Sequence, residues 1–550
     1  MGYGLFMETR QFDFIIVGAG TAGCVLAARL SEDPANSVCL IEAGPPDSNP
    51  LIPIPAGVAF TILNPKLGWG FKTTPQLHCN NREILLPRGR VVGGCSSING
   101  MVYFRGHPGD FDDWAAGGAD GWSFAEVLPY FIKSENNENF PNSPYHGVGG
   151  PVNVISIPKV NPLVDSFVEA VKSMQFSLQP DFNGPDPMGF GPRQASIRGG
   201  RRESEATAYL NPARSRPNLT IITNALVHRV VVENRRAIGV VYEQGGEIGR
   251  IAARREVILS GGAYGSPALL MLSGIGPAAE LRQLGIDVVH DLAGVGKGLR
   301  EHPSAAVQIR TKDTTSYGVS LRKALPNVLS GLQYLAFRTG PLAGNVFEAH
   351  GFCKSDPALA RPDLQIIMMP AHRNALPKAL PQGHGYGIIS ALVKPKSVGS
   401  ITLASANPHD PPLIDLNLLG DGDDIGRIRT GLKLARRILE NPAFARYKGH
   451  EILPGPAVQS DQEWDEHIRA TCVTVHHPTS SCRMGTDDFA VVAPDLRLRG
   501  VEGLRVVDAS VFPTLIAGNT NAAVVMIAEK AADIILGRPC LPALDLPHAV

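Results

Sequence analysis

Residues 12–23 read FDFIIVGAGTAG, and a helical pattern, AGCVLAARLSE, continues from the last of them. The apolar run through Val17 predicts a buried strand that feeds a glycine turn and then a helix. In that turn Gly18 permits the tight bend and Gly20 lets the backbone approach a pyrophosphate. Gly23 lets the helix pack on the strand, with the first helical N–H groups aimed at the phosphates. A second apolar run, VCLI at 38–41, ends in Glu42, 19 residues past Gly23. A carboxylate there accepts the hydroxyl protons of an adenosine ribose and repels a 2′-phosphate. A glycine-rich turn alone is also what tight strand-helix packing produces. Strand, helix, second strand and terminal acid together predict a dinucleotide site, without choosing between NAD and FAD.

Around this unit the composition narrows the function classes. The 550 residues carry Lys+Arg 51 against Asp+Glu 51, so no surplus charge coats a phosphate backbone and no nucleic-acid partner is expected. Gly 59 and Pro 45 indicate a loop-rich but ordered chain. The eight cysteines are scattered, with no C-x-x-C and no pairing with histidine, so neither a disulfide framework nor a metal site is expected. No apolar run reaches membrane-spanning length, and the first ten residues lack a secretory pattern. The expectation is a cytoplasmic protein, with peripheral membrane contact left open.

Three later stretches repeat the small-residue device. Residues 87–106, PRGRVVGGCSSINGMVYFRG, expose successive backbone N–H groups suited to phosphate or to a polar ring edge. Residues 260–276, SGGAYGSPALLMLSGIG, follow the strand-like EVIL at 256–259. Near the C-terminus LRVVD (504–508) reads as a strand with a terminal acid, before the turn AGNTN and the helix AAVVMIAEKAADIIL. The chain thus returns to its first domain at its close.

In this order GAGTAG with IEAG, GRVVGGCSSIN, GAYGSPALLMLSGIG, GVGKGLREH, VHHPTSSCRMG and GNTNAAVVMIAEKAAD resemble the glucose-methanol-choline (GMC) flavin oxidoreductases. ADGWSF (119–124) and ALVKPKSVGSITL (391–403) are similar to the bacterial branch holding choline dehydrogenase, L-sorbose dehydrogenase and aliphatic alcohol dehydrogenases. The resemblance implies an α/β fold, with a Rossmann-like FAD-binding domain (12–155, 200–305 and 480–545) and an interleaved substrate domain on an antiparallel sheet (156–199 and 306–479). It implies FAD, held by Gly18, Gly20, Thr21, Ala22, Gly23, Glu42 and Val92. Asn99, Gly100, Met101 and Val102 are expected beside the isoalloxazine, Val227 at the adenine, Asp508 and Ala509 at the ribityl-pyrophosphate, and Asn519 and Thr520 at the flavin ring. Where some choline-oxidising relatives attach FAD through a histidine, this chain has Ile98, so non-covalent FAD is expected.

Alcohol oxidation removes a hydroxyl proton and a carbinol hydride; the flavin can take the hydride, so the protein must manage the proton. By resemblance His477 of TVHHPTSS is the base, its backbone restricted by Pro478, and Asn521 of GNTN is the partner that donates to the alkoxide. Asn521 also suits a helix cap, a role Asn519 can take instead. His476 is expected to line the substrate cavity. Glu348, in NVFEAHGF, matches a carboxylate that choline-oxidising relatives turn toward a trimethylammonium group. The predicted activity is oxidation of a primary alcohol or polyol, passing electrons to a quinone or another acceptor. The alternatives are choline oxidation, an alcohol oxidase using oxygen, and a hydroxynitrile lyase with structural FAD. The strand-like IISALV (388–393) and SITL (400–403) are expected in the sheet roofing the cavity. The loop FTILNPKLGWGFKTTPQ (60–76) is a candidate entrance lid.

Overall fold

The strand Gln11–Val17 lies between Val38–Ile41 and Glu247–Leu259, parallel to both, in the computed structural model, which describes residues 10–158, 161–371 and 382–549. Leu219–Ile222 extends the sheet beyond Val38–Ile41, and Leu504–Val506 adds a parallel strand on Glu247–Leu259. Ala225–Glu233 and Arg236–Gln244 complete it as an antiparallel meander. The central strands are buried on both faces, so their side chains read as unbroken apolar runs rather than an alternation. Helices Thr21–Leu30 and Asn521–Leu536 pack on each other, which joins a late segment of the chain to the first domain.

A second large sheet is antiparallel throughout. Its order is His450–Leu453, Pro303–Thr311, His384–Leu392, Leu364–Met369, Ala349–Cys353 and Gly189–Pro192, with Val473–Thr474 also paired to Pro303–Thr311. Helix Gly422–Leu439 covers one of its faces. The strand predicted over 388–393 belongs here, within His384–Leu392. The one predicted over 400–403 does not: Gly399–Thr402 pairs with Lys297–Leu299 and Leu413–Asp415 in a separate three-stranded sheet. An apolar alternation fixes which face of a strand is buried, not which sheet it joins.

Candidate active site between the two sheets

A cavity of about 1630 Å³ runs from the glycine turn to the roofing sheet. At one end it is made of backbone. A Cβ on Gly23 would lie 1.9 Å from the Gly18 carbonyl oxygen, and one on Gly94 would lie 2.7 Å from Gly20 Cα. Gly18 itself has φ +100°, and a Cβ there would be 2.5 Å from the Ser260 oxygen. Three loops therefore meet at distances only glycine allows. Helix Thr21–Leu30 begins without a side-chain cap and without an acid in its first turn, which leaves its N–H groups available to an anion. Glu42 lines this end, its two oxygens accepting from Ala19 N and Gly44 N at 2.8 Å each, and burial raises its pKa to about 7. Asp508 accepts from Gly262 N, Ser266 Oγ and Ser510 N, so it braces the first turn of helix Gly262–Leu272. The glycine cradle, the uncapped helix and the buried acid at the strand end fit a dinucleotide.

The other end is made of side chains. His302 Nε2 lies 3.1 Å from the carbonyl oxygen of Ile516, and a carbonyl only accepts. His302 thus carries its proton on Nε2 and presents Nδ1 to His477 Nδ1, 3.1 Å away. His477 donates from Nδ1, leaving its Nε2 lone pair directed to Asn519 Nδ2 at 3.0 Å. Both rings are neutral. Burial pushes His302 down to about 3, and burial, with the nearby His302, His476, Arg88 and Arg193, holds His477 well below the usual range. Glu301 Oε1 accepts from the backbone N–H of both His477 (2.6 Å) and His302 (2.9 Å), fixing the two segments together. Asn519 Oδ1 is buried without a hydrogen-bond partner, an acceptor left open beside the base.

Most of the residues singled out in the sequence line this one cavity: Gly18, Gly20, Thr21, Ala22, Glu42, Asn99, Gly100, Met101, Val102, Val227, Asp508, Ala509, Asn519, Thr520, Asn521, His476 and His477. The expectations for Asn521 and Glu348 need correction, and Val92 and Gly23 lie outside the lining. Asn521 does not meet His477: its Oδ1 accepts from Thr21 Oγ1 at 2.7 Å and its Nδ2 donates to Glu205 at 2.9 Å, so the amide ties helix to helix. Asn519, two residues earlier, holds the place beside His477, and neither asparagine caps helix Asn521–Leu536, whose N-cap is Thr520. Glu348 is buried outside the cavity lining, its carboxylate accepting from Asn161 N at 3.0 Å and from the Tyr317 hydroxyl. Val92 is fully buried with its carbonyl accepting from Ser97 Oγ at 2.7 Å, so it supports the loop from behind. Gly23, too, lies behind the cavity, where its role is the close packing already described.

His476 adopts φ +70°, a left-handed backbone, while its carbonyl accepts from Arg88 Nη2 at 2.6 Å. Sequence reasoning passed over Glu301, His302, Arg193 and Arg202. The first two sit in the matched stretch GVGKGLREH, where an acid and an imidazole before a proline were the available signal. Arg202 holds the loop before Asn99 through Ser96 O, Asn99 O and Asn99 Oδ1. Among the described residues one trio of metal-type ligands also converges, His228, Glu243 and His409, from positions whose spacing shows nothing. Both imidazoles already face the Glu243 carboxylate, at 3.2 and 2.9 Å.

Comparison with known proteins shows the family. The chain matches the GMC oxidoreductase family over residues 12–304 for its N-terminal part and 395–528 for its C-terminal part. It is 45% identical to an alcohol dehydrogenase (acceptor) of Pseudomonas putida, over 97% of each chain. It is 44% identical to an oxygen-dependent choline dehydrogenase of Brucella ovis, over 96% of each. Among solved structures it resembles pyridoxine 4-oxidase from Mesorbium loti, with TM-score 0.85 and 32% identity over 95% of this chain and 98% of that one. A formate oxidase variant from Aspergillus oryzae RIB40 gives TM-score 0.89 and 29% identity over 96% and 99%. The chain belongs to the GMC oxidoreductases and is an FAD-binding oxidoreductase of that family.

Proposed function

We propose that the protein oxidises an alcohol to its carbonyl, with His477 as the base and Asn519 as the donor to the reacting oxygen. The observation that carries this reading is the hydrogen-bond chain from Ile516 through His302 and His477 to Asn519, which leaves His477 Nε2 unprotonated, with the Asn519 amide beside it. FAD, when bound, supplies the two-electron acceptor. A substrate hydroxyl that donates to His477 Nε2 takes the place of the Asn519 amide there, and the amide N–H it releases can donate to the hydroxyl oxygen. As its proton passes to Nε2, the amide N–H stabilises the growing negative charge without competing for the proton. His302 accepts from the opposite side of the ring and so holds the tautomer in which Nε2 can receive. Asn521, bound to Thr21 and Glu205, joins the dinucleotide end to the C-terminal helix. The first sheet with its glycine turns is the core of the FAD-binding domain in this reading, and the antiparallel sheet that of the substrate domain.

FAD is held without a covalent bond in this reading, because Ile98 lines the cavity where a hydrocarbon side chain offers no nucleophile. The choline alternative loses the carboxylate that the sequence offered it, since Glu348 lies outside the cavity lining, bound by Asn161 and Tyr317. The acceptor is a quinone or a similar non-NAD compound reached at a membrane surface. Helix Ala324–Phe337 supports that placement because its polarity is inverted: Tyr334 is its one buried residue, whereas Leu325, Val328, Leu329, Leu332, Leu335 and Phe337 are all more than half exposed. Arg322, Lys323 and Arg338 flank it, and residues 314–347 contain no acid, a charge pattern suited to anionic lipid. Lys323, Pro326, Asn327 and Ser330 line the cavity as well, so the cavity reaches this helix. No described helix is long and apolar enough to cross a membrane. Anaerobic addition of primary alcohols to the yellow holoenzyme tests the activity: bleaching is expected, and a flavin left oxidised by every alcohol contradicts it. Stoichiometric hydrogen peroxide during turnover in air would overturn the choice of acceptor.

A further inference from the structure

Arg193 is 3% exposed, yet it lines the same cavity as His477 and Asn519. Its backbone is clamped, the N–H donating to Glu348 O at 2.9 Å and the carbonyl accepting from Ile157 N at 2.7 Å, so the side chain has a fixed origin. The guanidinium lies 6.0 Å from the centroid of the Phe347 ring, itself a cavity wall. Its Nε is buried without a hydrogen-bond partner, and no carboxylate among the described residues is paired with it. Glu348, whose carbonyl accepts from the Arg193 N–H, directs its carboxylate to Asn161 and Tyr317. Burial alone lowers the Arg193 pKa, to about 9, and its charge reaches His477 and His350. Gln365 Oε1, also on the cavity wall, is another buried polar atom without a partner. A buried, unpaired guanidinium is among the most expensive arrangements a fold can hold, and an anion arriving with the ligand relieves it. The planar fork of donors matches a carboxylate in two parallel hydrogen bonds.

We propose that Arg193 anchors a carboxylate on the substrate, so that the enzyme's alcohols are hydroxy acids whose hydroxyl reaches His477 while the acid end sits on the guanidinium. This rests on the alcohol-oxidation reading above and narrows its substrate class. The hydroxyl proton goes to His477, a hydride's two electrons and proton leave the carbinol carbon for the FAD of the family, and the carboxylate is unchanged, so a hydroxy acid becomes an oxo acid. The same charge repels a quaternary ammonium group.

The test is anaerobic flavin reduction by the holoenzyme with ω-hydroxy acids of increasing length, the matching α,ω-diols and choline, on the wild type, Arg193→Met and Arg193→Lys. At the best length the hydroxy acid is expected to exceed its diol by about 10- to 100-fold in kcat/KM, the worth of a charge-assisted pair, with the difference carried by KM. Arg193→Met should bring that ratio to about one and Arg193→Lys should keep part of it. Hexanoate, which cannot be oxidised at a hydroxyl, should compete in the wild type and not in Arg193→Met. A wild type that bleaches with diols and shows no preference for the acids, or a preference that survives Arg193→Met, overturns the anchor and leaves alcohol oxidation standing. If neither class bleaches the flavin, alcohol oxidation falls. Perturbation of the flavin spectrum by hexanoate then decides the anchor: lost in Arg193→Met it supports the anchor, absent from the wild type it overturns it.

Discussion

The two ends of the cavity are built from different materials. The dinucleotide end is backbone against backbone, where Gly18, Gly20, Gly23 and Gly94 allow three loops to touch. The chemical end is a hydrogen-bond chain, Ile516 O to His302 to His477 to Asn519, supplied by three separate stretches of the sequence. The first tolerates no added atom; the second depends on which nitrogen holds a proton. Damage at the first should therefore cost the cofactor and the fold, and damage at the second should cost rate alone.

That contrast is broken most severely by Gly23→Ala. The new methyl carbon would stand 1.9 Å from the Gly18 oxygen, so the strand-helix packing must open. The expected outcome is protein that purifies poorly and without yellow colour, read by its absorbance. Asn519→Ala should keep the colour and slow anaerobic flavin reduction by about 10²- to 10³-fold, the usual cost of losing one oxyanion donor. Asn521→Ala should do the reverse. It leaves the base in place but strands buried Glu205, so thermal or denaturant unfolding should show a loss of about 1–3 kcal/mol with a much smaller change in rate. If the two asparagines exchanged these effects, the register assigned here would be wrong by two residues.

The pH dependence sharpens the same contrast. Because the pKa of His477 is held well below 6.5, the base stays unprotonated as pH falls through that value, and flavin reduction should show no acid limb there. For stability the sign is that of any group whose pKa folding lowers. Below about pH 6.5 the unfolded chain takes up protons that folded His302 refuses until about 3, so its contribution is lost as pH falls. His302→Asn should flatten that slope by up to about 1.4 kcal/mol per pH unit in denaturant titrations. The smallest effect on chemistry is expected at the outer helix. Leu329→Asp with Leu332→Asp should abolish flotation with vesicles containing phosphatidylserine while leaving flavin reduction by a soluble alcohol unchanged. Retained flotation would remove the membrane surface from the account, and a shift in oligomeric mass on gel filtration would mark the face as a contact between copies.

The dinucleotide end was readable because its determinants are contiguous: a strand, three glycines and a helix within a dozen residues, then Glu42 at a set distance. The chemical end was readable only in part. His477 stood out beside Pro478, but Asn519 and Asn521 are both plausible in GNTN, and only the start of helix Asn521–Leu536 decides which amide faces the imidazole. Glu348 reads as an available carboxylate until Tyr317 and Asn161, far away in sequence, are seen to occupy it. Arg193 carried no motif; its meaning comes from burial without a counter-charge, a property of the packed chain.

The central claim is that His477 Nε2, held unprotonated by His302, takes the substrate proton. Single-turnover anaerobic reduction of His477→Ala by a primary alcohol tests it most directly. The account predicts a protein that retains its yellow FAD and is reduced about 10²- to 10⁴-fold more slowly than the wild type; reduction at an undiminished rate would contradict it.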